Sequence, residues 1–286
     1  MSGNLSTVKG RQDRMDICKN APTCTHLKSI SEIIIKEVIN TELRIIMGQI
    51  FKKGQVWDCY KFARNMKGKH NPNMIMERED WEIFRDDFRG KLGEVAVKNY
   101  FDENVDILTP AGEIDFSVSE RGQWDQFDLK VEDKILSIKS VKVKSKFLMI
   151  ETSRFDKFGN YAYDNENNEK ITIDYYVLVR VDIDPEIDKY DLDYHNITEF
   201  WKSKNGRKVN TEILGILSHS DFWNIKHIAP KGMRCNIKNL ILACNEEKVD
   251  MSLGNNKTEN LQKENYIVNS ELEMFDIEQY FKLKNK

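Results

Sequence analysis

The chain has 286 residues, 40% of them hydrophobic and 32% charged, which predicts a globular core beneath a heavily charged surface. Its 44 basic and 47 acidic residues leave a formal net charge of −3. That excludes a basic nucleic-acid coat, so any nucleic-acid surface must be local.

No apolar run reaches the length of a bilayer, and the first residues, MSGNLSTVKGRQDRMDICKN, lack a hydrophobic signal core. Five cysteines are an odd count for a secreted disulfide framework, so reduced thiols in a cytoplasm are expected. Residues 1–28 are polar and hold Cys18, Cys24 and His26. Their spacing invites a zinc reading, but no second ligand pair stands nearby to complete a tetrahedron, which favours ordinary thiols. Ser29-Ile30-Ser31-Glu32 reads as a capping box that opens a helix, with apolar residues from Ile33 to Phe51 and a stop at Gly54. A second helix is expected from Val56 to Met66, followed by a break from Lys67 to Asn73. Residues 1–75 thus form a helical N-terminal region, whose wide apolar arc suits a dimer surface.

The next helix runs from about Arg78 to Phe101, with Trp81, Phe84, Phe88, Leu92, Val95 and Ala96 at helical spacing. Gly90 and Gly93 interrupt it and would permit close approach of another backbone. Glu94 lies off the stripe. It reads most simply as a solvated surface group, and otherwise as an acid delivered just before the strands begin.

Strand signals follow at Val105–Leu108 and Ile114–Val118. Gln126 to Ser140, QFDLKVEDKILSIKS, reads as a two-stranded hairpin turning at Glu132-Asp133. A two-residue turn sets Val131 opposite Lys134, Leu129 opposite Leu136 and Phe127 opposite Ile138. Asp128 then faces Ser137, Gln126 faces Lys139, and Asp128, Ser137 and Lys139 share the side away from the apolar pairs. An aspartate and a lysine held this way can bind a divalent metal and orient a water. A plain cross-strand ion pair is the other reading.

Phe147–Ile150 is a short apolar run, and Ile171–Ile183 is the strongest strand. Tyr175 to Val179 is apolar on both faces, which predicts a central strand covered on both sides. This order predicts an α/β chain with a mixed sheet and flanking helices, its core in residues 76–185. Residues 186–286 form a C-terminal region. It should contain a strand at Glu212–Leu217, a turn into a short helix at Ser218–Trp223 and a strand-like run at Cys235–Ala243. A mobile loop over 245–265 and an amphipathic helix over Ser270–Leu283 would complete it.

Gly93-Glu94, Phe127-Asp128-Leu129 and Ile138-Lys139-Ser140 together resemble the PD-(D/E)XK nuclease superfamily. In that pattern a helix glutamate precedes an aspartate on one strand and an acidic-x-lysine triplet on the next. Lys144–Glu151, Asp174–Val181 and Ile213–Phe222 further resemble a group of bacterial type II restriction endonucleases. The resemblance implies a restriction-endonuclease-like core with N- and C-terminal additions. It also implies Mg²⁺-dependent cleavage of double-stranded DNA at a short sequence, and a cognate DNA methyltransferase as genetic partner. A palindromic target would favour a homodimer.

One departure stands out. Ser137 occupies the acidic position of the triplet, and a serine brings no charge to a cation. Either the chain is an inactive relative that still binds DNA, or another carboxylate fills the gap. Glu151, twelve residues after Lys139, is placed to do so, and reads equally well as a polar strand end. Asp115 and Asp125 rival Asp128, which is favoured because its register sets it beside Ser137 and Lys139. The roles implied are Mg²⁺ held by Asp128 and Glu151, water activation and charge compensation by Lys139, and a second metal or metal-bound water at Glu94. Lys142, Lys144 and Lys146 follow directly and would meet DNA phosphates, unless they only guard an edge strand. Arg154, with Asn160 and Asn165, is a DNA-reading candidate by residue type. The scattered histidines form no catalytic triad, and no Walker-type loop appears.

Overall fold

The computed structural model describes residues 51, 53–67, 69, 79–104, 109–117, 128–156, 159–160, 172–194, 197–202, 207–252 and 260–284. All fall within one unit of the chain, Arg44–Lys286. Cys18, Cys24, His26, the first capping box, Val105–Leu108, Asp125, Phe127 and Asn165 lie outside the described residues.

The elements in order are α1 (Lys53–Asn65), α2 (Asp80–Glu103), β1 (Leu129–Val131), β2 (Lys134–Val141), β3 (Phe147–Glu151), β4 (Tyr175–Asp184) and α3 (Ile197–Lys202). There follow β5 (Lys208–Ser218), α4 (His219–Ile225), β6 (His227–Ala229), α5 (Ile237–Cys244), β7 (Asn265–Asn269), α6 (Ser270–Glu273) and α7 (Ile277–Lys284). One sheet has the order β1-β2-β4-β5 and the other β3-β7-β6. Among the described strands only β2 and β4 pair in parallel, so the chain is α/β with a mixed sheet.

β4 is the central strand that its sequence predicts. Tyr176, Val177, Leu178 and Val179 are fully buried. Val177 and Val179 pack with Phe88, Leu92 and Ala96 of α2, while Tyr176 and Leu178 meet Leu148 and Ile150 of the second sheet. Each such apolar side chain contributes roughly 1.5–3 kcal/mol. The first of these cores also takes Val56, Cys59, Tyr60 and Ala63 from α1 and Ile277 and Tyr280 from α7. It therefore draws on all three sequence regions.

Two glycines set how close neighbouring segments come. A Cβ on Gly93 would lie 2.0 Å from Ser140 Oγ, so α2 sits directly on β2 at this point; Gly90, by contrast, has nothing within 4 Å of such an atom. A Cβ on Gly215 would lie 2.6 Å from the Met274 side chain. That approach lets Phe275 exchange both backbone hydrogen bonds with Ile216. Beside Gly215 the β4–β5 register slips, leaving Leu214 as a bulge residue. As a result Ile213 and Ile216 reach one core while Leu214 and Leu217 reach the other.

Two expectations for the C-terminal region change, and one strand there went unread. Cys235–Ala243 is mostly helix: α5 starts under an Asn236 cap that accepts from Asn239 N, and buries Leu240 and Ala243 three residues apart. A short apolar run fits either period, and here packing against Ile267 of β7 selects the helical one. Ser270–Leu283 is two helices, because extended Phe275 pairs with Ile216 between them. Asn265–Asn269 is a strand that sequence periodicity did not announce. No helix among the described residues is long and apolar enough to cross a membrane.

Candidate active site

The hairpin forms in the expected register, with Leu129 opposite Leu136 and Val131 opposite Lys134. Its two-residue turn holds Glu132 at φ 54°, the left-handed geometry that closes a tight hairpin. Leu129 and Leu136 are buried together, which pins the opposite faces of the two strands. Asp128 stands just ahead of β1, facing Ser137. Its Oδ2 accepts from the Ile138 backbone N–H at 2.5 Å and from Ser137 Oγ at 3.2 Å. Lys139 Nζ lies 3.6 Å from the same oxygen. Asp128 thus serves the edge of β2 just where β1 stops pairing with it.

Ser137 is nearly enclosed, while the Asp128 and Lys139 side chains keep 23% and 33% of their surface exposed. The group combines a rigid floor with an accessible charged rim. Ser137 acts as a hydrogen-bond donor to the aspartate. It does not supply the negative charge that a carboxylate would bring there.

The other acids are engaged elsewhere. Glu94 is not a solvated surface group: its side chain is 12% exposed and pairs at 2.7 Å with Lys91, itself 5% exposed. Lys91 also donates to the Asp115 carbonyl and lies 4.4 Å from the Phe62 ring centroid. An i,i+3 Lys-Glu spacing was the available signal for this pair. The Asp115 carboxylate accepts from Ser117 N and Ser117 Oγ in its own loop. Glu151 ends β3, which belongs to the second sheet. Leu148 and Ile150 point into the core between the sheets, so alternation turns Glu151 to the outer side. There its carboxylate meets Lys263 Nζ at 2.7 Å, Ser153 Oγ at 3.4 Å and Arg154 Nε at 4.0 Å.

The basic candidates also separate. Lys142 and Lys144 are exposed in and beside the turn after β2, whereas Lys146 is paired with Glu271. Asn160 spends its side-chain amide and backbone N–H on Asp156. The structure therefore joins Asp128, Ser137 and Lys139, and leaves Glu94, Glu151, Lys146 and Arg154 in ion pairs of their own.

Among the described residues no three His, Cys, Asp or Glu side chains gather as a metal site. Among the described residues, two hydrogen bonds and the Lys139 contact at Asp128 fall on Oδ2. The partly exposed Asp128 carboxylate suits a Mg²⁺ ion, which takes one or two protein carboxylates and keeps several waters in its shell.

His219 is a polar group that sequence scatter concealed. Its Nδ1 meets the hydroxyl of buried Tyr176 at 3.1 Å, and Tyr176 neighbours Ser137 across the parallel strands. Burial lowers the imidazole below its ordinary range, opposed by a hydrogen bond with the Gly159 backbone and the Asp174 charge.

Comparison with protein-family models, with curated proteins and with solved structures found no match.

Proposed function

We propose that this chain is a Mg²⁺-dependent endodeoxyribonuclease with a PD-(D/E)XK-like core. In this reading it is a type II restriction endonuclease that cuts double-stranded DNA at a short specific sequence. One observation carries the reading: Lys139 and Asp128 meet at 3.6 Å at the open end of a hairpin whose second strand runs parallel to a fully buried central strand. Lys139 would orient the attacking water and offset charge developing at phosphorus. Asp128 would hold the cation against the scissile phosphate, with Ser137 and the Ile138 N–H fixing the carboxylate's orientation. Bound there, Mg²⁺ would supply Lewis-acid polarisation of the phosphoryl group. A homodimer would match a palindromic target, and a cognate methyltransferase would protect host DNA in the same cytoplasm.

Ser137 favours a second reading, a sequence-specific DNA-binding protein on the same fold that no longer cuts. Incubating plasmid DNA with the protein and Mg²⁺, against an EDTA control, separates the two. Discrete fragments that need Mg²⁺ support the nuclease. A salt-sensitive gel shift without cleavage supports the binding protein. Random nicking or smearing would point to a nuclease that reads DNA shape.

A further inference from the structure

We propose that His219 is a positioning residue for the Asp128–Lys139 site, pinning the segment that follows β3 to Tyr176, whose side chain stands beside Ser137; this rests on the nuclease reading above. Ser137 pairs with Tyr176 and Lys139 with Leu178 across the parallel strands, so all four side chains leave the same face of the sheet. Asp128 accepts from Ser137 Oγ on that face at 3.2 Å. Tyr176 is fully buried and Ser137 nearly so. At the ~4.8 Å spacing of paired strands, the phenol is the serine's immediate neighbour.

His219 meets this phenol from α4. Its Nδ1 lies 3.1 Å from the Tyr176 hydroxyl. One helical turn on, Trp223 stacks on the imidazole, with ring centroids 6.1 Å apart and planes 13° from parallel. The segment after β3 closes on the same helix. Phe155 packs against Phe222 and Trp223 with centroids at 5.8 and 5.6 Å. Gly159, at φ 81°, comes so near that a Cβ there would lie 2.9 Å from the Trp223 ring. Asp156 ties the turn shut: its carbonyl accepts from Gly159 N and its carboxylate from Asn160 N.

These bonds fix the tautomer. Gly159 N is spent on Asp156, so the group that bonds the imidazole is the Gly159 carbonyl, which can only accept. With Nδ1 taken up by Tyr176, Nε2 carries the proton and Nδ1 accepts from the hydroxyl. Neutral His219 thus holds the phenol and the segment at once. A second proton turns Nδ1 into a donor, and the hydroxyl proton of buried Tyr176 must then leave it. Burial holds the imidazole below its ordinary range against the Gly159 bond and the Asp174 charge, and Lys226 adds to the lowering. Of the neighbouring titratable groups, Asp156 closes its own turn, Asp221 accepts from Ser218 Oγ at 2.6 Å, and Tyr266 meets Trp223 edge-on at 5.6 Å.

The test is single-turnover plasmid cleavage in Mg²⁺ from about pH 8 to about pH 5, beside NMR amide exchange at Gly159 and Asn160. His219→Gln keeps a donor for the Gly159 carbonyl but does not titrate. Wild type should lose roughly 10-fold more rate than this variant as the pH falls, the usual effect of a support behind a metal-site residue. Tyr176→Phe deletes only the hydroxyl, and should make both amides exchange about fivefold faster at neutral pH, the worth of one hydrogen bond. A purely structural histidine would change stability but leave the two rate profiles parallel. Parallel profiles would overturn the proposal, as would unchanged amide exchange in Tyr176→Phe, while cutting itself would leave the nuclease reading standing. If the wild-type chain cuts no DNA at any pH, the nuclease reading fails, and the positioning role with it.

Discussion

Lys139→Ala should separate chemistry from stability. The Lys139–Asp128 pair is 3.6 Å apart and its side chains are 33% and 23% exposed. Solvent screening at such a site limits the pair to about 0.2–1 kcal/mol. The fold should therefore survive the substitution, with a shift of about 1 kcal/mol or less in urea unfolding. The Asp128 carboxylate would still accept from Ile138 N and Ser137 Oγ, so no buried donor is stranded. A general base or charge-compensating lysine is worth roughly 10²–10⁴ in rate, or about 2.7–5.5 kcal/mol of transition-state stabilisation. Single-turnover cleavage should fall by that factor, while duplex affinity measured in EDTA changes by only one phosphate contact's worth. Asp128→Ala should behave differently. It removes the acceptor from Ile138 N–H and should cost about 1–3 kcal/mol of stability as well as activity. Cleavage by Lys139→Ala at the wild-type rate would refute the assignment of the site.

Other expectations follow from the same geometry. Glu151→Ala should leave the cleavage rate within about twofold of wild type, because its carboxylate faces Lys263 on the outer side of the second sheet; a loss of about 10²-fold, typical of a removed catalytic group, would return it to the site. Arg207→Ala should destabilise by about 3–5 kcal/mol in denaturant melts, since it strands Asp191 in a fully buried pair with two N–O contacts of 3.0 Å. Gly93→Ala places a Cβ 2.0 Å from Ser140 Oγ and should lower stability by about 1–3 kcal/mol, less whatever helix propensity returns. Adding Ser140→Ala should recover most of that loss; no recovery would mean that the helix clashes elsewhere. The lowered His219 pKa means that the unfolded chain binds more protons below the ordinary value of 6.5. Stability should thus fall as the pH drops through that value, and His219→Gln should flatten this part of the pH profile.

The hairpin was legible because everything that defines it is local. A two-residue turn fixes register, and the alternation of Leu129, Val131, Leu136 and Ile138 decides which face is buried. From those facts alone Asp128 had to stand beside Ser137, with Lys139 two residues further along the same face. The centrality of β4 was legible too, because a strand apolar on both faces has no stable place at a solvated surface. Gly93 similarly marked the close contact between helix and sheet.

The identity of the supporting acids was not written locally. The partner of Glu151 was decided when β3 paired with β7 in the second sheet and brought Lys263, 112 residues away, to its carboxylate. Glu94 depended in the same way on how deeply α2 settles against the sheet and on Lys91 being drawn in with it. The apolar run at Cys235–Ala243 fitted two periods until Ile267 supplied a surface that rewards helical spacing. A turn and an alternating pattern involve neighbours in the chain, so sequence fixes them with little competition. Which face of a short strand or helix meets which charge is decided by contacts distant in sequence, whose free energy exists only once the layers have packed.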